Sequence, residues 1–146
     1  MSSANPFVPP VYQLYQMDIK ELDRLAIKLM SIYTRTKDAD FSGYVNCFTC
    51  PRGDHWSNMH CGHFVKRAHR CTRFMEANNN PQCPICNVSY DGRPKEYAKQ
   101  LDKKFGKGMA EYLQQLGRET CKTSRMDYIE LITTLDEKLN GKEADW

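Results

Sequence analysis

Four cysteines stand in two pairs of identical spacing, Cys47-Phe48-Thr49-Cys50 and Cys83-Pro84-Ile85-Cys86. A C-x-x-C pair turns the backbone so that two thiolates converge, and two such pairs a few dozen residues apart supply four sulfurs for one tetrahedral zinc ion. Four protein ligands leave no position for water, so this zinc is expected to hold the chain together and to do no chemistry. Chemistry is sought instead between and beside the knuckles, in His60-Cys61-Gly62-His63-Phe64 and in Asn87, the residue after the last cysteine. Phosphodiester hydrolysis needs a base near neutral pH to activate water, and a divalent cation to stabilise charge on the phosphate and the leaving oxygen. His63 can be the base. His60 and Asn87 offer a nitrogen and an oxygen to Mg2+ or Mn2+, leaving its other positions to water and phosphate oxygens.

Each of these residues has a plainer reading on its own, as a structural histidine or a capping asparagine. The neighbouring charge favours the chemical one. Net charge is only +3, but Lys66, Arg67, Arg70 and Arg73 lie between His63 and Phe74 with no acidic residue among them. Such a block attracts a polyanion through phosphate contact and counterion release. Residues 93 to 108 add Arg93, Lys95, Lys99, Lys103, Lys104 and Lys107 against Glu96 and Asp102, which reads equally well as a solvated helix face. His55 and Trp56 fall in a turn and are expected to be exposed.

The 146 residues are enough for one domain, and 40% hydrophobic residues allow a modest core. Seven cysteines is an odd number for a disulfide framework, no signal sequence or membrane-spanning run is visible, and a reducing, cytoplasmic setting with metal-bound thiolates is expected. Cys61, Cys71 and Cys121 are then buried free thiols, although Cys71 or His69 could replace a knuckle cysteine as a zinc ligand.

Positioning elements follow from spacing. Residues 1–16 read as an extended or disordered arm, ahead of a single domain over 17–146. Asp18 with Glu21 caps a helix whose Leu22, Leu25, Ala26, Leu29, Ile32 and Tyr33 recur at helical period. Tyr44, Val45 and Phe48 suggest a short strand, Arg52-Gly53-Asp54 a turn, and Met59 to Val65 a second strand. After the second knuckle the pattern is helical: one helix from Pro94 to a stop at Gly106, one around Met109 to Gly117, and one opened by a Ser124/Asp127 capping box.

The ordered pattern C-x-x-C, His60-x-Gly62-His63-Phe64, Arg73-Phe74, Asn78 and Gln82-Cys83-x-x-Cys86-Asn87 resembles phage recombination endonucleases of the NinG (Rap) type. It is also similar to phage endonuclease VII, a Holliday-junction resolvase of the His-Me finger (HNH) group. The resemblance implies an α+β fold with a zinc-stapled ββα-metal core at about 44–90 and flanking N- and C-terminal helices, the latter over about 94–140. It implies His63 as general base, Asn87 as a ligand of the catalytic cation, and Asn78 as the supporting asparagine. His60 stands where endonuclease VII-like proteins have an aspartate, and a neutral histidine brings no charge to a cation. The implied activity is metal-dependent cleavage of branched double-stranded DNA by a homodimer in the cytoplasm of a phage-infected bacterium. The alternative is a non-catalytic zinc-containing DNA-binding module, which needs the knuckles and arginines but has no use for His60, His63 and Asn87 together. A nucleobase deaminase is excluded because its His-x-Glu and adjacent Pro-Cys are absent.

Overall fold

The computed structural model describes residues 5–140, and the chain divides into two compact units. One takes the residues up to Tyr33 together with those from Thr123 on, and the other is Thr34–Lys122. The architecture is mixed helix and small antiparallel sheet, α+β.

The first unit holds α1 (Val11–Leu14), most of α2 (Ile19–Thr36) and α5 (Arg125–Asn140). Helix α2 begins where the Asp18 carboxylate accepts the Glu21 backbone N–H at 2.8 Å, and it buries Leu22, Ala26 and Leu29 at the i, i+4, i+7 positions of one face. Helix α5 opens with a reciprocal capping box, Ser124 Oγ accepting from the Asp127 N–H and Asp127 Oδ2 from the Ser124 N–H. Its Tyr128 hydroxyl donates to Asp23 of α2 at 2.7 Å. Much of the segment read as an extended arm is packed: Asn5, Val8 and Leu14 are buried. Pro9 and Pro10 bar a helix any earlier, and Arg125 donates to the Tyr15 and Met17 carbonyls. The first four residues of that arm lie outside the described residues.

The second unit is built on two hairpins. Strands β1 (Tyr44–Asn46) and β2 (Gly53–His55) pair antiparallel, with Tyr44 opposite His55 and Asn46 opposite Gly53. Gly53-Asp54, read from sequence as a turn, is therefore strand. The turn belongs to the first C-x-x-C knuckle, which the Cys47 N–H closes on the Arg52 carbonyl at 2.8 Å. Strands β3 (His60–His63) and β4 (Asn79–Gln82) pair with His60 opposite Gln82 and His63 opposite Asn79. Helices α3 (Pro94–Phe105) and α4 (Met109–Gly117) follow, separated by Gly106 and Gly108 at φ of 114° and 96°. Tyr97, Leu101, Ala110 and Leu113 pack there with Phe48, Phe64 and Val65 into one apolar cluster.

Cys71 and Cys121 form a disulfide, with Cα atoms 5.2 Å apart. This corrects the expectation of free thiols at both positions, and of Cys71 as a spare zinc ligand. The reason is tertiary: the chain leaving α4 returns past Cys71, a closeness that a separation of 50 residues conceals. Among the described residues no helix is long and apolar enough to cross a membrane.

Candidate functional site

The sulfur atoms of Cys47, Cys50, Cys83 and Cys86 all lie within 4.8 Å of one another. Zn–S bonds of about 2.3 Å give a tetrahedron with edges of about 3.8 Å, and the Cys50 and Cys83 sulfurs are 3.6 Å apart. Donors converge on these sulfurs as they do on thiolates. The Cys83 N–H donates to Cys47 Sγ at 3.2 Å, the Cys86 N–H to Cys83 Sγ at 3.4 Å, and Arg93 Nε to Cys86 Sγ at 3.1 Å. Burial pushes the Cys50 thiol up to about 12. At Cys83 burial works in the same direction but is outweighed by the Cys86 N–H and the neighbouring thiols, which bring it down to about 7. Four thiols so close cannot all ionise without a cation to hold the charge, so the donor set and spacing fit structural zinc. Val45, Met59, Ala39 and Trp56 wall the cluster with apolar surface.

The second knuckle continues into a π-helical turn, Ile85–Ser89, with Asn87 at its centre. Turns of this kind widen the backbone and recur at functional sites. Asn87 Nδ2 lies 3.0 Å from His60 Nδ1. That spacing makes the two side chains hydrogen-bond partners; to offer Oδ1 to a cation beside His60, the Asn87 amide would have to turn over.

His63 stands apart from that pair. Side chains alternate along a strand, so in the regular β3–β4 ladder His60 and Gly62 belong to one face and Cys61 and His63 to the other. Arg67 acts electrostatically on both Cys61 and His63, in keeping with a shared side. The His63 ring has no hydrogen-bond partner among the described residues. It lines a cavity of about 60 Å³ with Phe64, Lys66, Asp91, Gly92, Pro94 and Tyr97. Burial, and then the charges of Arg67 and Lys66, push its pKa down to about 4, leaving a neutral imidazole at physiological pH.

The support for this hairpin is a layer of buried amides. Asn78 grips Val65 at both backbone atoms, Oδ1 accepting its N–H at 2.8 Å and Nδ2 donating to its carbonyl at 3.0 Å. Asn79 Nδ2 donates to the Arg73 and Met75 carbonyls. Asn80 Nδ2 donates to Tyr97 Oη, whose own hydrogen goes to the Gly62 carbonyl at 2.7 Å. Gln82 Nε2 donates to Thr49 Oγ1 and to the Gly92 carbonyl, each at 2.9 Å, tying the first knuckle to the loop before α3. Gly62 is required beneath it, since a Cβ there would stand 2.0 Å from Gln82 Oε1. In that loop Asp91, Gly92 and Arg93 take three successive left-handed conformations, with φ of 51°, 83° and 47°. These turns place Arg93 on Cys86 and Asp91 on Lys66, the latter at 3.1 Å. The roles of Gln82, Arg93 and Tyr97 were not read from the sequence; the string Asp91-Gly92-Arg93-Pro94 was the available signal for the turn.

Of the basic block, Lys66, Arg67 and Arg70 are exposed. Arg73 is 7% exposed, with its guanidinium 4.8 Å from the centre of the Phe74 ring, so it sits inside the unit. His55 is exposed and Trp56 half-buried.

No curated protein and no solved structure matches the chain. The family model described as bacteriophage lambda NinG protein matches residues 15–144, which takes in both knuckles, the β3–β4 hairpin and all of α2 to α5. The chain belongs to the bacteriophage lambda NinG family.

Proposed function

We propose that the protein is a metal-dependent endodeoxyribonuclease of the His-Me finger (HNH) kind, cutting branched recombination intermediates such as Holliday junctions in the bacterial cytoplasm. The observation that carries this reading is His63: a neutral imidazole, without a protein partner among the described residues, lining a small cavity beside Lys66. The ring is unprotonated and so available to accept a proton, and an anionic phosphate bound beside it would raise its basicity toward that of a general base. His60 and Asn87 would hold Mg2+ or Mn2+, which when bound supplies charge stabilisation to the phosphate and to the departing 3′ oxygen. Among the described residues the outer edge of β3 has no strand partner. On this reading a phosphate laid along that edge would meet His60 and Asn87 from one face and His63 from the other. The exposed Lys66, Arg67 and Arg70 then meet neighbouring phosphates, contacts that position DNA without reading its sequence. The β3–β4 hairpin followed by a helical turn and α3 supports the ββα-metal reading. Paired nicks in a four-way junction need two active centres, so the acting species is a homodimer.

A second reading, a zinc-containing DNA-binding module without catalysis, is favoured by the placement of His63 on the strand face opposite His60. One assay separates the two: a labelled four-way junction and its linear control are incubated with Mg2+ or Mn2+, and solution mass is measured. The nuclease reading requires preferential cutting of the junction by a dimer. It also requires that His63→Ala lower the rate at least about 100-fold while DNA binding persists. Binding without cutting under either metal selects the module, and equal cutting of both substrates by a monomer removes the junction preference.

A further inference from the structure

Phe41 stands apart from the other large apolar side chains among the described residues: its exposure is 104%, which leaves it bare to solvent. The turn that carries it is nonetheless tightly bonded. Asp40 Oδ1 accepts from the Ser42 N–H at 2.9 Å, the Ser42 hydroxyl at 2.6 Å and the Tyr44 N–H at 3.0 Å. The Asp40 N–H donates to the Tyr44 carbonyl and the Gly43 N–H to the Asp40 carbonyl, each at 2.9 Å, and Gly43 closes the turn with φ of 85°. The ring is presented on a fixed support, so little chain entropy is lost when something covers it.

A recess lies on the same segment. Asp38 and Val45, on either side of the turn, line a cavity of about 220 Å³ whose wall includes Phe48, Pro81 and Lys104. A cavity of about 150 Å³ admits benzene, so this one has room for a phenyl ring among Val45, Phe48 and Pro81. Phe41 of the same chain does not fill it, being fully exposed. Charge is matched as well as shape. Asp38 and Asp40 place negative charge beside Phe41, whereas Lys104 at the cavity and Lys103 next to it end α3 on positive charge. Lys104 reaches Asp38 at 3.3 Å in an exposed pair, which is weak and open to exchange. Carboxylates beside the ring disfavour a phosphate backbone as its partner and suit a basic rim, such as the one this cavity has.

A knob and a recess carried side by side on one chain make a self-complementary surface, in which each of two copies gives a ring and receives one about a two-fold axis. We infer that this face is the contact between two copies of the chain, with Phe41 of each seated among Val45, Phe48 and Pro81 of the other and the acidic turn of each against the basic end of the other's α3. The contact deepens the homodimer of the proposed function; it rests on that reading for its need of two copies and not on cleavage.

The test is sedimentation of the full-length, zinc-loaded protein over a series of concentrations. Truncating a buried aromatic anchor weakens an interface by about ten-fold or more, and a two-fold dimer loses the anchor twice. Phe41→Ala is therefore expected to raise the dimer dissociation constant about 100-fold, with zinc content and circular dichroism unchanged because the side chain touches nothing in its own chain. A benzophenone analogue of phenylalanine at position 41 should cross-link on illumination to the Phe48 peptide of a second copy, as read from a mixture of isotopically heavy and light chains. Cross-links within one chain only, a wild type that is monomeric at every concentration, or a dimer whose constant Phe41→Ala leaves unchanged overturns the inference. So does a monomer whose junction binding Phe41→Ala weakens, an outcome that assigns the ring to DNA. A dimer that Phe41→Ala separates but that never cuts DNA upholds the contact and sinks only the nuclease reading; a dimer indifferent to Phe41 that does cut junctions does the reverse.

Discussion

The four-cysteine cluster and the His63 hairpin meet at β4 and its flanks, yet they are built on opposite principles. In the cluster all four sulfurs face one another and their hydrogen-bond partners are nearby backbone, the Thr49 hydroxyl and Arg93. The hairpin brings together only His60 and Asn87 and leaves the His63 ring without a protein partner among the described residues. A site that only holds structure is complete in itself; on the proposed function, the hairpin keeps groups open for a substrate and places the rigidity one layer back. Here that layer is Asn78, Asn79, Asn80, Gln82 and Tyr97, all buried and bonded to backbone.

The sharpest way to break this contrast is to remove the metal. Zinc in such a site contributes about 10 kcal/mol or more of folding free energy, so a chelator, or serine at Cys47, Cys50, Cys83 or Cys86, is expected to unfold the second unit, as followed by circular dichroism. Elemental analysis of reduced protein should find one zinc per chain, and a folded, zinc-free protein would erase the difference between the two regions. Next in size is Gly62→Ala. Its methyl group would overlap the Gln82 amide and break the bonds to Thr49 and Gly92, a loss of about 3 kcal/mol seen in denaturant melts while zinc stays bound.

Acid should act on the hairpin through His63. Its pKa of about 4 in the folded protein lies below the roughly 6.5 of an unfolded chain, so protons bind the unfolded state first. Stability from this group is full above about 6.5 and is lost as pH falls toward 4, by at most about 3 kcal/mol. His63→Asn should flatten that part of the stability profile; an identical acid limb in the variant would show that the ring is not desolvated. The smallest expected effect is that of Tyr97→Phe. It leaves the Gly62 carbonyl and Asn80 amide short of a partner, at about 2 kcal/mol, with zinc content unchanged.

The knuckles were legible because C-x-x-C is a local device: two residues between cysteines suffice to converge two sulfurs wherever the chain goes next. Helices α2, α3 and α5 were legible for a related reason, since Asp18, Pro94, and Ser124 with Asp127 act on backbone groups within one turn. Strand β4 was not. Asn79-Asn80-Pro81-Gln82 has no apolar alternation, and it is buried because each amide finds a partner elsewhere, on Arg73, Met75, Ala77, Tyr97, Thr49 or Gly92.

Residue types and short spacings thus determined which atoms this protein has available: four thiolates, two histidines three apart, an asparagine behind the last cysteine, and a run of arginines. Only the tertiary structure decided how they are used. The β3–β4 register assigns His60 and His63 to opposite faces, and packing draws Arg73 inside while leaving Lys66, Arg67 and Arg70 in solvent. The return of the chain after α4 joins Cys71 to Cys121. The physical reason is range: a knuckle or a cap is settled within one turn of backbone, whereas which side chains share a face depends on strand pairing and burial among residues far apart in the chain.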